Sequence, residues 1–347
     1  MGLGALLALA GCGTSASAPQ SPSPPLAQSV YVFNAGNRTV SVIDARTDKV
    51  VDTVPVSSVS AYPSATWGAA SGYVLLPSGS QVTLLKLPQL TAVKTVKLPG
   101  SATYATETGD GTTGMVVLPS LNQVEFFNLD ASRGPVGALQ NIRITGQMGP
   151  WSVATSPGTH FMVVPGTSNN KICVVPLHST KEPAVCTVPA PMPHPQQAAL
   201  SPDGRYYAVA GSQTGGEQVG LYHLLPTGEF SSQVSPLKGL PAGHYLPLFT
   251  ADSRRLLLLN QTGAQLVVFS LNGPRLIKIL DLPPGSSPTY AALSPGGDSL
   301  FITLSAQNAV AVVNLAALKV VKTVPVGPKP VSVVVGKYSF LTSQGKA

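Results

Sequence analysis

Tyr31-Val32-Phe33-Asn34-Ala35-Gly36-Asn37-Arg38-Thr39-Val40-Ser41-Val42-Ile43-Asp44, followed after a polar turn by Lys49-Val50-Val51-Asp52-Thr53-Val54-Pro55-Val56, is the stretch on which the fold turns. A short apolar run breaks at Asn34 into a Gly/Asn turn, and a β-branched segment in strict alternation follows. Period-two alternation of β-branched residues reads as strand. Gly and Asn between two such runs supply the backbone freedom of a tight hairpin. Lys49 to Val56 then reads as a third strand closing in Pro.

Working outward, the same unit recurs to the end of the chain. The first apolar residue of its central strand falls at Val40, Val82, Val124, Ile172, Val219, Leu266 and Val310, spaced by 42, 42, 48, 47, 47 and 44 residues. Seven copies fit. A period of about 40 to 50 residues with three or four strands per unit is that of propeller blades, and no stretch carries a convincing amphipathic helix period. An innermost fourth strand precedes the unit, best seen at Pro195 to Leu200 before Ser201-Pro202-Asp203-Gly204 and at Pro288 to Leu293 before Ser294-Pro295-Gly296-Gly297. The first unit lacks it, while Val331 to Val335 after Lys329-Pro330 match it at the other end. The expectation is an all-β, seven-bladed β-propeller of four-stranded antiparallel blades, its ring closed by the C-terminal strand pairing into the first blade. Closure removes the open sheet edge of a linear array. Lys94, Lys97, Arg143, Lys278 and Lys322 fall on the outermost strands, where charge guards an edge. Tyr338 to Ser343 has no assigned place.

Composition agrees with that architecture. Only 10% of the 347 residues are charged, 34 are Gly and 33 are Pro, yet 44% are hydrophobic, too many for a disordered chain. The net charge of +7 comes from basic residues scattered singly, which argues against nucleic acid as a partner.

At the N-terminus an apolar run, Leu3 to Ala10, ends in Gly11-Cys12 and gives way to Ser, Ala, Pro and Gln. This resembles a bacterial lipoprotein signal, although no Lys or Arg precedes the run. The resemblance implies cleavage before Cys12 and lipidation of its thiol. The expected organisation is a signal peptide over 1–11, a lipidated Cys12 with a flexible Ser/Pro/Ala linker over 12–28, and a single propeller domain over 29–347. Cys173 and Cys186 lie on two neighbouring antiparallel strands. Export permits a disulfide between them, and two free, partly buried thiols are the equal alternative. No Cys-x-x-Cys-His run occurs for covalent haem.

Tyr31 to Asn34, Val40 to Asp44, Lys49 to Val56 and the ending Val326-Gly327-Pro328-Lys329-Pro330 together resemble the YVTN-type β-propeller repeat, with weaker copies over residues 30 to 335. The resemblance implies a bacterial or archaeal protein working outside the cytoplasm, often surface-associated. Related propellers include lactonases, streptogramin lyases and haem or copper domains. The motif consists of strand and turn positions, so no catalytic residue transfers with it.

In a propeller the loops entering the innermost strands and those joining the two middle strands gather on one face around the channel, the default place for a site. Tyr62, Trp151, His194, Gln196, His244 and Tyr245 fall on the first set of loops, and Arg38, Asn170, Lys171 and Glu217 on the second. Two histidines before successive innermost strands suit an organic ligand or a metal. The preferred reading is plainer: His194, between Pro193 and Pro195, caps a turn, and His244 replaces a Pro. Glu107 occupies an innermost-strand position that is Leu200, Phe249, Leu293 and Val335 elsewhere. Either its carboxyl is buried with a raised pKa, or, as preferred, the blade has slipped in register and Glu107 is exposed.

The functional expectation is a non-enzymatic lipoprotein of the cell envelope, a monomer presenting its loop face to a protein, glycan or small molecule, with no cofactor and no metal. The alternative is a lactonase- or lyase-type propeller enzyme with a His or metal site at the channel mouth.

Overall fold

The solid apolar runs of this sequence, such as Val30 to Phe33, Leu256 to Leu259 and Leu300 to Ile302, form strands buried on both faces. Successive side chains of a strand point to opposite sides. Val30 and Val32 accordingly pack into one hydrophobic cluster, while Tyr31 and Phe33 pack into another. The computed structural model describes residues 25–57, 59, 69–144, 149–157, 159, 161–177, 188–189, 192–213, 216–225, 230–233 and 237–337.

Among these, the strands form seven sheets. Sheet I holds β1 (Ser29–Asn34), β2 (Thr39–Asp44) and β3 (Lys49–Pro55), and sheet II holds β4 (Tyr73–Ser78), β5 (Gln81–Lys86) and β6 (Thr91–Lys97). Sheet III comprises β7 (Tyr104–Glu107), β8 (Thr113–Leu118), β9 (Gln123–Asp130) and β10 (Gly134–Arg143); sheet IV comprises β11 (Phe161–Gly166), β12 (Lys171–Pro176) and β13 (Val188–Pro189). Sheet V contains β14 (Pro195–Leu200), β15 (Tyr206–Gln213), β16 (Gly216–Leu224) and β17 (Phe230–Gln233). Sheet VI contains β18 (Tyr245–Phe249), β19 (Arg255–Asn260), β20 (Gln265–Ser270) and β21 (Arg275–Asp281). Sheet VII contains β22 (Pro288–Leu293), β23 (Ser299–Leu304), β24 (Ala309–Asn314) and β25 (Lys319–Pro325). The last strand, β26 (Pro330–Val335), returns to sheet I and pairs antiparallel with β1, Val30 opposite Val335 and Val32 opposite Val333.

Packing between the sheets closes the circle. Separate apolar clusters bridge I with II, II with III, III with IV, IV with V and V with VI. One larger cluster runs from VI through VII into I, bringing Leu257 and Leu266 together with Phe301, Val313, Val333 and Val30. Each sheet therefore buries its faces only against its neighbours, and the set is stable as a ring.

The expected uniform set of seven four-stranded blades is corrected: sheets II and IV have three strands each among the described residues. In sheet IV the innermost place is taken by residues 150–154, which touch β11 through two isolated bridges, Pro150 with Gly166 and Ala154 with Val163. Pro150 has no N–H to give the ladder. Side chains in this stretch also bond outward, Ser152 Oγ to the Gln196 carbonyl of sheet V at 2.5 Å and Thr155 Oγ1 to the Glu107 carbonyl of sheet III at 3.4 Å. In sheet II the approach to β4 includes residues 58 and 60–68, outside the described set.

Two faces result. The upper face carries the loops that enter each innermost strand and the hairpins between the two middle strands. The lower face carries the turns that leave the innermost strands, where Ser201, Thr250 and Thr108 hydroxyls donate to Asp203, Asp252 and Asp110, each at 2.6 Å.

Candidate functional site

The upper face is built on a repeated backbone device. Asn122, Asn170 and Asn308 each precede the third strand position of a sheet in the left-handed region, with φ of 50°, 56° and 50°. Asn tolerates that conformation better than most residues. Their Oδ1 atoms accept the N–H groups of Gly149, His194 and Lys329 at 2.9, 2.8 and 2.8 Å, tying each middle hairpin to the loop entering the next sheet. Arg38 and Ala264 hold the same turn slot in sheets I and VI, with φ of 53° and 50°. The slot thus explains Arg38 and Asn170 by backbone geometry.

His194 belongs to the same device. Its φ is 47°, as Lys329 and Ser287 have φ of 53° and 48° before Pro330 and Pro288. Its Nδ1 lies 3.0 Å from the Thr167 carbonyl. A carbonyl only accepts, so Nδ1 carries the proton of this bond. The carbonyl of Trp151, a half-buried residue, accepts from Thr103 Oγ1 at 3.2 Å, and the Gln196 carbonyl accepts from Ser152 Oγ. Trp151 is thus tied toward sheet III, whereas His194 and Gln196 are tied to sheet IV; no hydrogen bond joins the three among the described residues. Tyr245 is buried in the core between sheets V and VI, its hydroxyl donating to the Pro241 carbonyl. Tyr62, Cys12 and Cys186 lie outside the described residues, as does the side chain of Glu217. Cys173 is fully buried on β12 and disulfide-bonded.

His244 is differently placed. It is exposed, its N–H donates to Thr262 Oγ1 at 3.1 Å, and its carbonyl accepts the Gln261 N–H at 2.8 Å. Gln261 and Thr262 line a cleft of about 610 Å³ between sheets VI and VII, bounded by residues 261–264, 281–282 and 284–288. Sequence reasoning found His244 and missed this wall of side chains. The one signal for it was the Pro-rich loop Pro283-Pro284-Gly285-Ser286-Ser287-Pro288. The loop is pinned on several sides: Pro284 accepts from Gln307 Nε2 at 3.1 Å, and the Ser286 and Ser287 carbonyls accept from the Ala306 and Ser305 N–H groups at 3.1 and 3.0 Å.

Glu107 stands apart, at the lower end of β7. It is 2% exposed, which corrects the expectation of a slipped register and an exposed side chain. Ala105 on the same face of the strand packs in the cluster between sheets II and III, and Glu107 meets sheet II there through Ser71. The Ser71 N–H donates to its Oε1 at 3.3 Å, and the Ser71 hydroxyl bonds its Oε2. Burial pushes the carboxyl up to about 8, against the opposing pull of the Ser71 hydroxyl and the N–H groups of Ser71 and Ala70. At neutral pH it is a neutral acid linking two sheets where other blades use an apolar contact. Among the described residues no three His, Cys, Asp or Glu side chains gather as a metal set.

This chain is a β-propeller. No family model matches it, and no curated protein does. Among solved structures it is similar to the periplasmic gluconolactonase of Pseudomonas aeruginosa, at 18% identity and a TM-score of 0.69, covering 88% of this chain and 98% of that one. Hydrazine synthase of Kuenenia stuttgartiensis matches at 16% identity and 0.67, covering 88% and 99%. A dihydro-heme d1 dehydrogenase matches at 17% and 0.63, covering 95% and 79%. Identities this low speak for the fold alone. The expectation of a non-enzymatic scaffold, which rested on the lipoprotein signal, the regular blades and the absence of a catalytic constellation, is corrected on one point: chains named as enzymes share this fold, so regular blades do not speak against catalysis.

Proposed function

We propose that the chain is a lactone-opening enzyme working at its upper face, with His244 as the proton-transfer group beside the cleft between sheets VI and VII. The observation that carries this reading is His244 itself, an exposed imidazole whose backbone is tied through Thr262 and Gln261 to the wall of a substrate-sized cleft. The fold shared with a gluconolactonase supports it. Histidine is the residue type that most often moves protons in catalysis near neutrality. In the reaction, water adds to the lactone carbonyl carbon as His244 takes its proton. The ring C–O bond then breaks, and the imidazolium returns the proton to the leaving oxygen, so lactone and water give the hydroxy acid.

The test is a pH-stat assay of the full chain on D-glucono-1,5-lactone and a panel of five- and six-membered lactones. Wild-type protein is expected to exceed spontaneous hydrolysis, and His244→Ala to lose on the order of a hundredfold in kcat. Rates equal to the spontaneous ones across the panel overturn the proposal.

The finer affiliation with YVTN-type repeats, anchorage through Cys12 and residence in the cell envelope belong to the same proposal. The disulfide at Cys173 supports an oxidising compartment. Metabolic labelling with a tagged fatty acid, lost in Cys12→Ser, tests the anchor.

A further inference from the structure

We infer that the cleft between sheets VI and VII takes a neutral, polyhydroxylated, sugar-sized molecule and rejects its phosphorylated form, an inference that deepens the lactone-opening reading and rests on it for the reaction. Size is the first argument. About 610 Å³ lies in the range of small-molecule sites and suits a single sugar ring.

The second argument is the chemistry of the wall. Thr262, Ser286 and Ser287 bring hydroxyls, Gln261 an amide and Asp281 a carboxylate. The Gln261 Nε2 is already spent on the Thr289 carbonyl at 2.5 Å, which leaves its oxygen as an acceptor. Asp281 accepts from Gln265 Nε2 through Oδ1 at 2.9 Å, which leaves Oδ2 for a ligand hydroxyl. Ser286 is fully buried, and its Oγ has no hydrogen-bond partner. The pinned, Pro-rich loop holds this wall in place before any ligand arrives.

Charge is the third argument, and it discriminates. The wall carries one charged side chain, Asp281, and no Lys, Arg or His. A phosphate here meets a carboxylate and finds no cation, although the whole chain bears a net charge of +7. The basic residues are elsewhere.

Saturation-transfer NMR on the full chain, with D-glucose, D-galactose, D-mannose, myo-inositol and D-glucose 6-phosphate as probes, tests this together with the lactone assay. Transfer to at least one neutral probe and none to the phosphate is expected. Asp281 is exposed, so Asp281→Lys should fold as the parent does; it should gain transfer to D-glucose 6-phosphate and shift the ratio of kcat/KM for gluconolactone over its 6-phosphate at least tenfold toward the latter. Tighter binding of the phosphate by wild-type protein overturns the inference. So does lactone hydrolysis with no neutral probe bound, which leaves the catalytic reading intact at another place on the face. Neutral probes bound without any lactone hydrolysed sustain the binding site and overturn the catalytic reading.

Discussion

One buried carboxyl, that of Glu107, gives the stability of this molecule a dependence on pH. Glu107 is held as a neutral acid up to about pH 8 in the folded chain but ionises near its ordinary value of 4.5 when unfolded. Between those values the native state binds a proton that the unfolded state has lost, so stability is full below about 4.5 and falls as pH rises toward 8. Glu125, also buried, is shifted upward by burial and adds to the same slope. If the whole shift at Glu107 is realised, the fall is on the order of 5 kcal/mol. Glu107→Gln keeps the shape and one hydrogen-bonding oxygen, and should flatten the slope of urea-unfolding free energy against pH over that window; an unchanged slope would remove Glu107 from this role. Close packing limits other substitutions nearby. A Cβ on Gly111, whose φ is +71°, would lie 2.3 Å from the Ser71 nitrogen, so Gly111→Ala must prise apart the seam that Glu107 bridges.

At the scale of the element, the Asn-to-backbone ties between successive sheets set the upper face. Asn308→Gly keeps a residue that accepts φ of 50° and removes only the bond to the Lys329 N–H, so a loss of about 1 kcal/mol is expected by chemical denaturation. Asn308→Ala adds backbone strain and should lose about 1 kcal/mol more. Equal losses for the two would mean that strain has no part in the tie. These elements also explain what the sequence could and could not reveal. Val40, Val82, Val124, Ile172, Val219, Leu266 and Val310 all fall on the central strand of the three-stranded unit named from their period, the third position from the inside, and all are fully buried. Burial on both faces forces apolar, β-branched residues there, so the pattern is written locally. Residues 150–154 escaped the rule because Ser152 and Thr155 bond to neighbouring sheets in place of a ladder. The cleft was illegible for a different reason: residues 261–264 and 281–288 meet only once sheets VI and VII pack, and no spacing along the chain encodes that meeting.

For the whole molecule, β26 is the piece on which closure depends. Its removal would strip the inner edge of β1 and open the cluster in which Val333 and Val335 pack with Val30, Val32 and Phe301. Such an exposed apolar edge invites pairing between molecules. Loss of residues 330–337 is therefore expected to give aggregation on expression or a broadened, low-temperature unfolding transition. A permuted chain separates closure from mere length. Because β26 runs antiparallel to β1 and the Gly336 N–H donates to the Ser29 carbonyl at 2.9 Å, residues 330–336 can be moved ahead of Ser29 and joined through a short Gly-containing turn. The same ladder and the same packing are then recovered from the other end of the chain. The permuted protein should melt within a few degrees of the parent and stay monodisperse by light scattering, while the truncated one does not. If truncation leaves the melting curve unchanged, β26 is not what closes the ring, and the joint between sheets VII and I must be held by the members of the apolar cluster outside β26, Val30, Val32 and Ile43 against Phe301 and Val313.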